Sequence, residues 1–231
     1  MALAIIEEGT PPILLPMTPP SARILPALAW ANVALHVFGL AVSWFGLRPG
    51  SVAAPLAERM AYLADRPAAW SWGWGIWMLC TLLLVSFMAV LWGLLPGKPV
   101  TAQLALVLTA AGMAADLLCD VIQIQVLPLA AGAGPDLFLA FERLAFTGGV
   151  TVANGLYTLG VLLMTASLGR LVGAPARLAG WATVLAGFVL AATGVIPSPV
   201  LLQGATGATI GLYSLWTVLV SRDLRRLGEP Q

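Results

Sequence analysis

The chain has 231 residues, of which 60% are hydrophobic and only 9% charged, with a formal net charge of +1. A soluble globular domain carries about 25% charged residues, so this chain has too few to cover a water-facing surface and reads as a polytopic membrane protein. Its one basic cluster, Arg222, Arg225 and Arg226, offers no stripe along which to neutralise a nucleic-acid backbone, which excludes nucleic acid as a partner.

The predicted elements are all helical. Residues 1–22 carry Glu7, Glu8 and the prolines Pro11, Pro12, Pro16, Pro19 and Pro20, and read as an extended tail. The first residues lack the positive n-region and long apolar h-region of a signal peptide, so insertion is expected to rely on the first true span. That span, residues 24–47, exceeds the roughly 20 residues that cross about 30 Å of hydrocarbon. It holds Asn32 and the single histidine, His36, at i and i+4. A lone histidine among apolar residues is more often a hydrogen-bonded core residue than a ligand.

The following loop, residues 48–69, contains an amphipathic piece with Glu58 and Arg59 among Leu56, Met60 and Leu63, expected to lie on the membrane surface. A second span, residues 70–95, opens on Trp70, Trp72, Trp74 and Trp77. This density suits an interfacial aromatic belt. Alternatively Trp70, Trp74 and Trp77, at i, i+4 and i+7, form one inward wall. After the turn at Pro96, Gly97, Lys98 and Pro99 comes a third span, residues 100–127, then a Gly/Pro loop over residues 128–140. Glu142 and Arg143 stand at the mouth of a fourth span, residues 141–168, which continues through Asn154 and Tyr157. The fifth and sixth spans cover residues 178–196 and 200–220, and residues 222–231 form a basic tail. The glycines of the sixth span, Gly204, Gly207 and Gly211, read as close-packing positions.

The expected architecture is thus an all-α bundle of six transmembrane helices over residues 23–221. Seven Lys and Arg residues flank the spans on the side of the N-terminus and four, Arg48, Arg59, Arg66 and Arg143, on the other. The positive-inside rule then puts both termini in the cytoplasm. Short loops and an Ala/Leu/Gly-rich composition suggest a bacterial inner membrane.

The third span carries the strongest chemical signal. Asp116, Asp120 and Gln123 stand at i, i+4 and i+7, on one helical stripe. Each Asp at a helix centre costs at least about 2.5–3.5 kcal/mol on insertion scales, so such residues face a bundle interior or a wet cavity and mark function. Two carboxyls on one face form a protonatable or cation-binding pair. Around them the topology gathers His36, Asn32, Asn154, Tyr157, Glu142, Arg143, Trp74 and Trp77 as candidate binding residues in an outward-facing cavity. The bland alternative has Arg143 or His36 pairing with an aspartate to hold helices together. The acidic and histidine residues are too scattered for a metal site, and Cys80 and Cys119 make no metal framework and read as free buried thiols. No Walker loop, dinucleotide fingerprint or G-x-S-x-G element occurs, one histidine rules out bis-histidine haem, and no span carries a lysine for a retinal Schiff base, so no cofactor is expected.

Ala31-Asn32 precedes Arg48 by the same interval as Ala153-Asn154 precedes Arg170, an echo that three spans per half would turn into inverted repeats of the transporter kind. The stretches Cys119-Asp120-Val121-Ile122-Gln123-Ile124-Gln125 and Val152-Ala153-Asn154-Gly155-Leu156-Tyr157 resemble those of six-span bacterial membrane proteins grouped as a family of unknown function. The resemblance implies six helices and brings no activity with it.

Three functions fit these residues. The first is a small transporter or channel-like binding protein with Asp116 and Asp120 as its acidic site. The second is a membrane-embedded enzyme on an isoprenoid-like or lipid substrate, with Asp116 or Asp120 as catalytic acid and tryptophan faces steadying cationic intermediates. The third is an accessory subunit of a larger membrane complex. Expected partners are membrane lipids and a small or apolar ligand, with a homo-oligomer or larger complex left open.

Overall fold

The computed structural model describes residues 19–196 and 198–227, with side chains over residues 24–196 and 198–226. Most of the expected N-terminal tail and the last residues of the C-terminal one lie outside this range. The described chain is all-helical: α1 (Pro19–Val42), α2 (Leu56–Asp65), α3 (Pro67–Leu94), α4 (Val100–Val121), α5 (Leu127–Ala133), α6 (Pro135–Phe146), α7 (Asn154–Leu168), α8 (Ala174–Thr193) and α9 (Pro199–Leu227). Wider, π-helical turns continue α1 through Ser43–Leu47, join α4 to α5 through Ile122–Val126, and join α6 to α7 through Thr147–Ala153.

Five helical segments are long and apolar enough to cross a membrane: Ile24–Gly50, Pro67–Leu94, Val100–Ala133, Pro135–Leu171 and Ala174–Thr193. The protein is therefore a helical integral membrane protein. The remaining long helix, α9, spans 29 residues but carries Gln203, Thr206, Thr209, Ser214, Thr217 and Ser221, which dilute its hydropathy. Ser214, Thr217 and Ser221 lie on its inner side, buried while Val200, Leu201 and Leu215 are exposed.

The long helices form a closed ring. α1 packs on α3, α3 on α4, α4 on α7, α7 on α8, α8 on α9, and α9 returns to α1. At the end of the ring where α1 begins, apolar side chains fill the interior: Leu25, Leu91, Leu95, Leu168, Val172 and Leu224 belong to one core that reaches inward to Tyr157, Tyr213 and Trp216. The opposite end is packed differently. There a smaller core of Leu47, Leu63, Trp70, Leu127, Ala130 and Phe138 holds α2 against α5, α6 and the start of α3.

Three expectations change here. The amphipathic helix α2 does not rest its apolar face on lipid: Leu63 is fully buried in protein, and an amphipathic pattern asks only for an apolar surface of either kind. The expected loop at residues 128–140 is helix on both sides of a single hinge, Gly134, whose φ of 136° is open to glycine and strained for other residues. Pro128 is tolerated because it directly follows a π-helical turn, where the regular i→i−4 ladder is already broken. Finally, Gly204, Gly207 and Gly211 have nothing within 4 Å of where a Cβ would sit, so these glycines do not serve packing within the bundle.

Candidate functional site

Between the two cores the ring encloses a cavity of about 370 Å³. Its lining runs from Arg48, Gly50, Ser51, Val52 and Ala53, at the end where α1 stops, inward to Thr81, Leu84 and Val161. The stripe foreseen on the third span faces it: Asp116, Asp120 and Gln123 all line the cavity. So do His36, Asn154, Tyr157, Glu142, Trp74 and Trp77. Nine of the eleven candidate residues thus surround one space.

Asp116 ties three helices together. Its Oδ2 accepts a hydrogen bond from Thr81 Oγ1 of α3 at 2.7 Å and one from Tyr157 OH of α7 at 3.1 Å. Asp120, one turn further along α4, is only 1% exposed, and its Oδ2 has no hydrogen-bond partner among the described residues. Gln123 is 7% exposed and its Oε1 likewise has none. Arg59 pairs with Glu142 and Arg222 with Asp223, and neither aspartate is in an ion pair among the described residues.

The aromatic wall sits at the same depth. Trp70 Nε1 donates to the backbone oxygen of Gln123 at 2.7 Å, and Thr81 reaches Asp116, so Trp74 and Trp77 lie on α3 between these two crossings to α4. Trp77 Nε1 donates to Ser43 Oγ at 2.9 Å, while Trp72, on the opposite side of the helix, is 77% exposed. His36 stands edge-on to Trp77 at 6.3 Å and tilted against Tyr213 at 5.4 Å, and its Nδ1 lies 2.9 Å from the Asn32 backbone oxygen.

Asn32 and Arg143 stand apart from the cavity. Asn32 is fully buried and its amide is consumed by structure: Nδ2 donates to the Leu28 and Leu83 oxygens, and Oδ1 accepts from Tyr213 OH. Arg143 is exposed; the partner of Glu142 is Arg59 of α2, at 2.9 Å. Cys80 and Cys119 both line the cavity as free thiols.

Sequence reasoning missed Thr81, Arg59, Tyr213 and the polar face of α9, where Gln203, Thr206 and Thr209 also line the cavity. It also missed the π-helical turns, all three of which border the cavity through Ser43, Gln123 and Gly149. A π turn releases backbone carbonyls from the helical ladder, and such turns recur at functional sites. Here side chains reach backbone oxygens of all three turns: Tyr62 OH donates to Gly46, Trp70 Nε1 to Gln123, and Asn154 Nδ2 to Gly149, whose oxygen also takes the Asn154 backbone N–H.

Close packing positions the Asp116 bond. A Cβ on Gly112 would lie 2.8 Å from the Tyr157 ring and 3.1 Å from the Ala153 oxygen. Gly112→Val should therefore push Tyr157 off Asp116 and cost about 1–3 kcal/mol of stability by overpacking. Tyr157→Phe, which removes the same bond without steric change, should cost no more than about 1.5 kcal/mol. Thermal denaturation of the two purified variants in detergent measures the difference.

No family model matches the chain, and no match was found among curated proteins or solved structures, so the reading of the site rests on its own residues.

Proposed function

We infer that the protein is a small membrane transporter or channel-like binding protein whose cavity takes a proton or a cation at Asp116 and Asp120. The observation that carries this reading is Asp120: a carboxyl almost wholly removed from solvent, on the cavity wall beside a second carboxyl, with no ion-pair partner among the described residues. A buried charge without a partner is costly, so it is neutralised by a proton or by a cation supplied from outside the chain. Exchange of the two is balanced: a carboxylic acid releases its proton as the cation arrives, and the net charge of the site is unchanged.

In this reading α9 is a sixth span, its polar face turned to the cavity rather than to lipid, and both termini lie in the cytoplasm of a bacterial inner membrane. The cavity then opens outward at residues 48–53, with the Arg59–Glu142 pair beside its mouth.

The test uses proteoliposomes loaded with a pH-sensitive dye, to which a panel of inorganic and organic cations is added from outside. Wild-type protein is expected to raise the internal pH with at least one member, and Asp116→Asn/Asp120→Asn to reduce that response to the level of empty liposomes. An undiminished response in the double variant, or no response to any member, overturns the reading.

A second reading draws on Trp74 and Trp77, whose place beside the carboxyls also suits an enzyme that protonates an isoprenoid-like substrate. It predicts turnover of added polyprenyl lipid, read by mass spectrometry and lost in Asp116→Asn/Asp120→Asn. An accessory subunit needs no such cavity.

A further inference from the structure

Resting on the cation-site reading above, we propose that the ligand is an organic ammonium ion bearing N–H donors on a flat apolar body, an arylalkylammonium. The argument begins with what the acidic end of the cavity leaves unmet. Asp120 Oδ2 and Gln123 Oε1 are acceptors, on side chains more than nine-tenths buried, with no donor among the described residues; the Trp74 Nε1–H on the same wall is also unmet, one donor against these two acceptors. Unmet acceptors select a ligand that brings hydrogens to them. A primary ammonium has three and a quaternary ammonium none.

The second step concerns size and the remaining wall. A cavity of about 370 Å³ falls in the range of small-molecule sites, far above what one metal ion fills. Among the described residues no three His, Cys, Asp or Glu side chains come together as a metal-ligand set. Trp74 and Trp77 stand at the depth of the carboxyls, and the rings of His36 and Tyr213 continue the lining toward α1 and α9. Ring faces attract cations and stack on flat groups, so they suit both parts of such a ligand. A neutral alcohol of the same shape satisfies an acceptor but cannot take the place of the proton on the carboxyl.

The experiment measures equilibrium binding by calorimetry, with the full chain in lipid nanodiscs. Three probes share one body: 2-phenylethylammonium, its N,N,N-trimethyl analogue and 2-phenylethanol. The primary ammonium is expected to bind at least tenfold more tightly than either of the others. Asp120→Asn should weaken it at least tenfold and erase its advantage over the trimethyl analogue. Gln123→Leu should erode the same advantage while leaving the neutral alcohol unchanged, a readout that a misfolded variant does not give. Equal or tighter binding of the trimethyl analogue, or no binding of the primary ammonium, overturns the proposal. The liposome assay separates the two levels. If another cation still drives proton movement through Asp116 and Asp120, only the ligand class fails; if none does, the cation site fails with it.

Discussion

Asp120→Leu should leave the purified protein as stable as the wild type or more so, while Asp116→Leu should destabilise it by about 1–3 kcal/mol, the cost of leaving buried hydroxyls without their acceptor. The two residues are one turn apart on the same helix, yet their surroundings differ. Asp116 is the acceptor that Thr81 and Tyr157 share, so leucine there leaves two hydroxyls between α3, α4 and α7 with only the long 3.5 Å contact to each other. Asp120 holds a buried carboxyl oxygen with no partner among the described residues, and replacing an uncompensated buried polar group by an apolar one is often neutral or stabilising. Both variants should lose the cation response in liposomes. Stability gained where function is lost is the mark of a residue kept for its chemistry. Thermal midpoints in detergent report the first effect, at about 2–4 °C per kcal/mol for a protein of this size. If Asp120→Leu instead unfolds the protein, the acidic stripe is structural and the accessory-subunit reading takes its place.

The stripe was legible because helical periodicity is a local property. Asp116, Asp120 and Gln123 share a face on any α-helix, and in an apolar span that face has to find polar company. Trp70, Trp74 and Trp77 obey the same arithmetic, and Trp72, out of phase with them, is the one left on the outer surface. Which groups meet across the ring was not legible. Arg143 adjoins Glu142 in sequence, but the cation that reaches Glu142 is Arg59, 83 residues earlier, delivered by the packing of α2. Thr81 carries no signal of its own in an apolar span, and only the packing of α3 on α4 sets it against Asp116. Asn32 and His36 share a face, yet the cavity ends between them, and the amide of Asn32 is spent on α3 and α9. The π-helical turns have no compositional signature in this chain, and they carried α4 into α5 past Pro128 where a loop was expected.

Trp216→Ala should be the most damaging single substitution in the bundle, costing about 3–5 kcal/mol, the range for deleting a buried tryptophan or phenylalanine side chain. Trp216 is 0% exposed and stands where three helices meet: its ring faces Phe87 of α3 at 6.0 Å, and a Cβ on Gly180 of α8 would come within 2.9 Å of its Nε1. In lipid no water is released when such a ring packs, so the loss lies in dispersion contacts and in the void left behind. The damage should also reach the cavity. Tyr213, one turn before, packs tilted against Trp216 at 6.0 Å, lines the cavity and donates to Asn32, whose amide in turn reaches the Leu83 oxygen of α3. Trp216→Ala should therefore lower both the thermal midpoint and the affinity for any ligand of the cavity. Trp181→Ala, at a tryptophan of α8 that is 47% exposed, provides the contrast and should change stability by less than about 0.5 kcal/mol, as substitutions away from packed features do. The comparison bears on the ring itself, because α9 is the helix whose polar content sets it apart from the other long ones and whose packing on α1 and α8 closes the circle. If Trp216→Ala is tolerated as well as Trp181→Ala, α9 is not held in that circle and the wall it gives the cavity is lost with it.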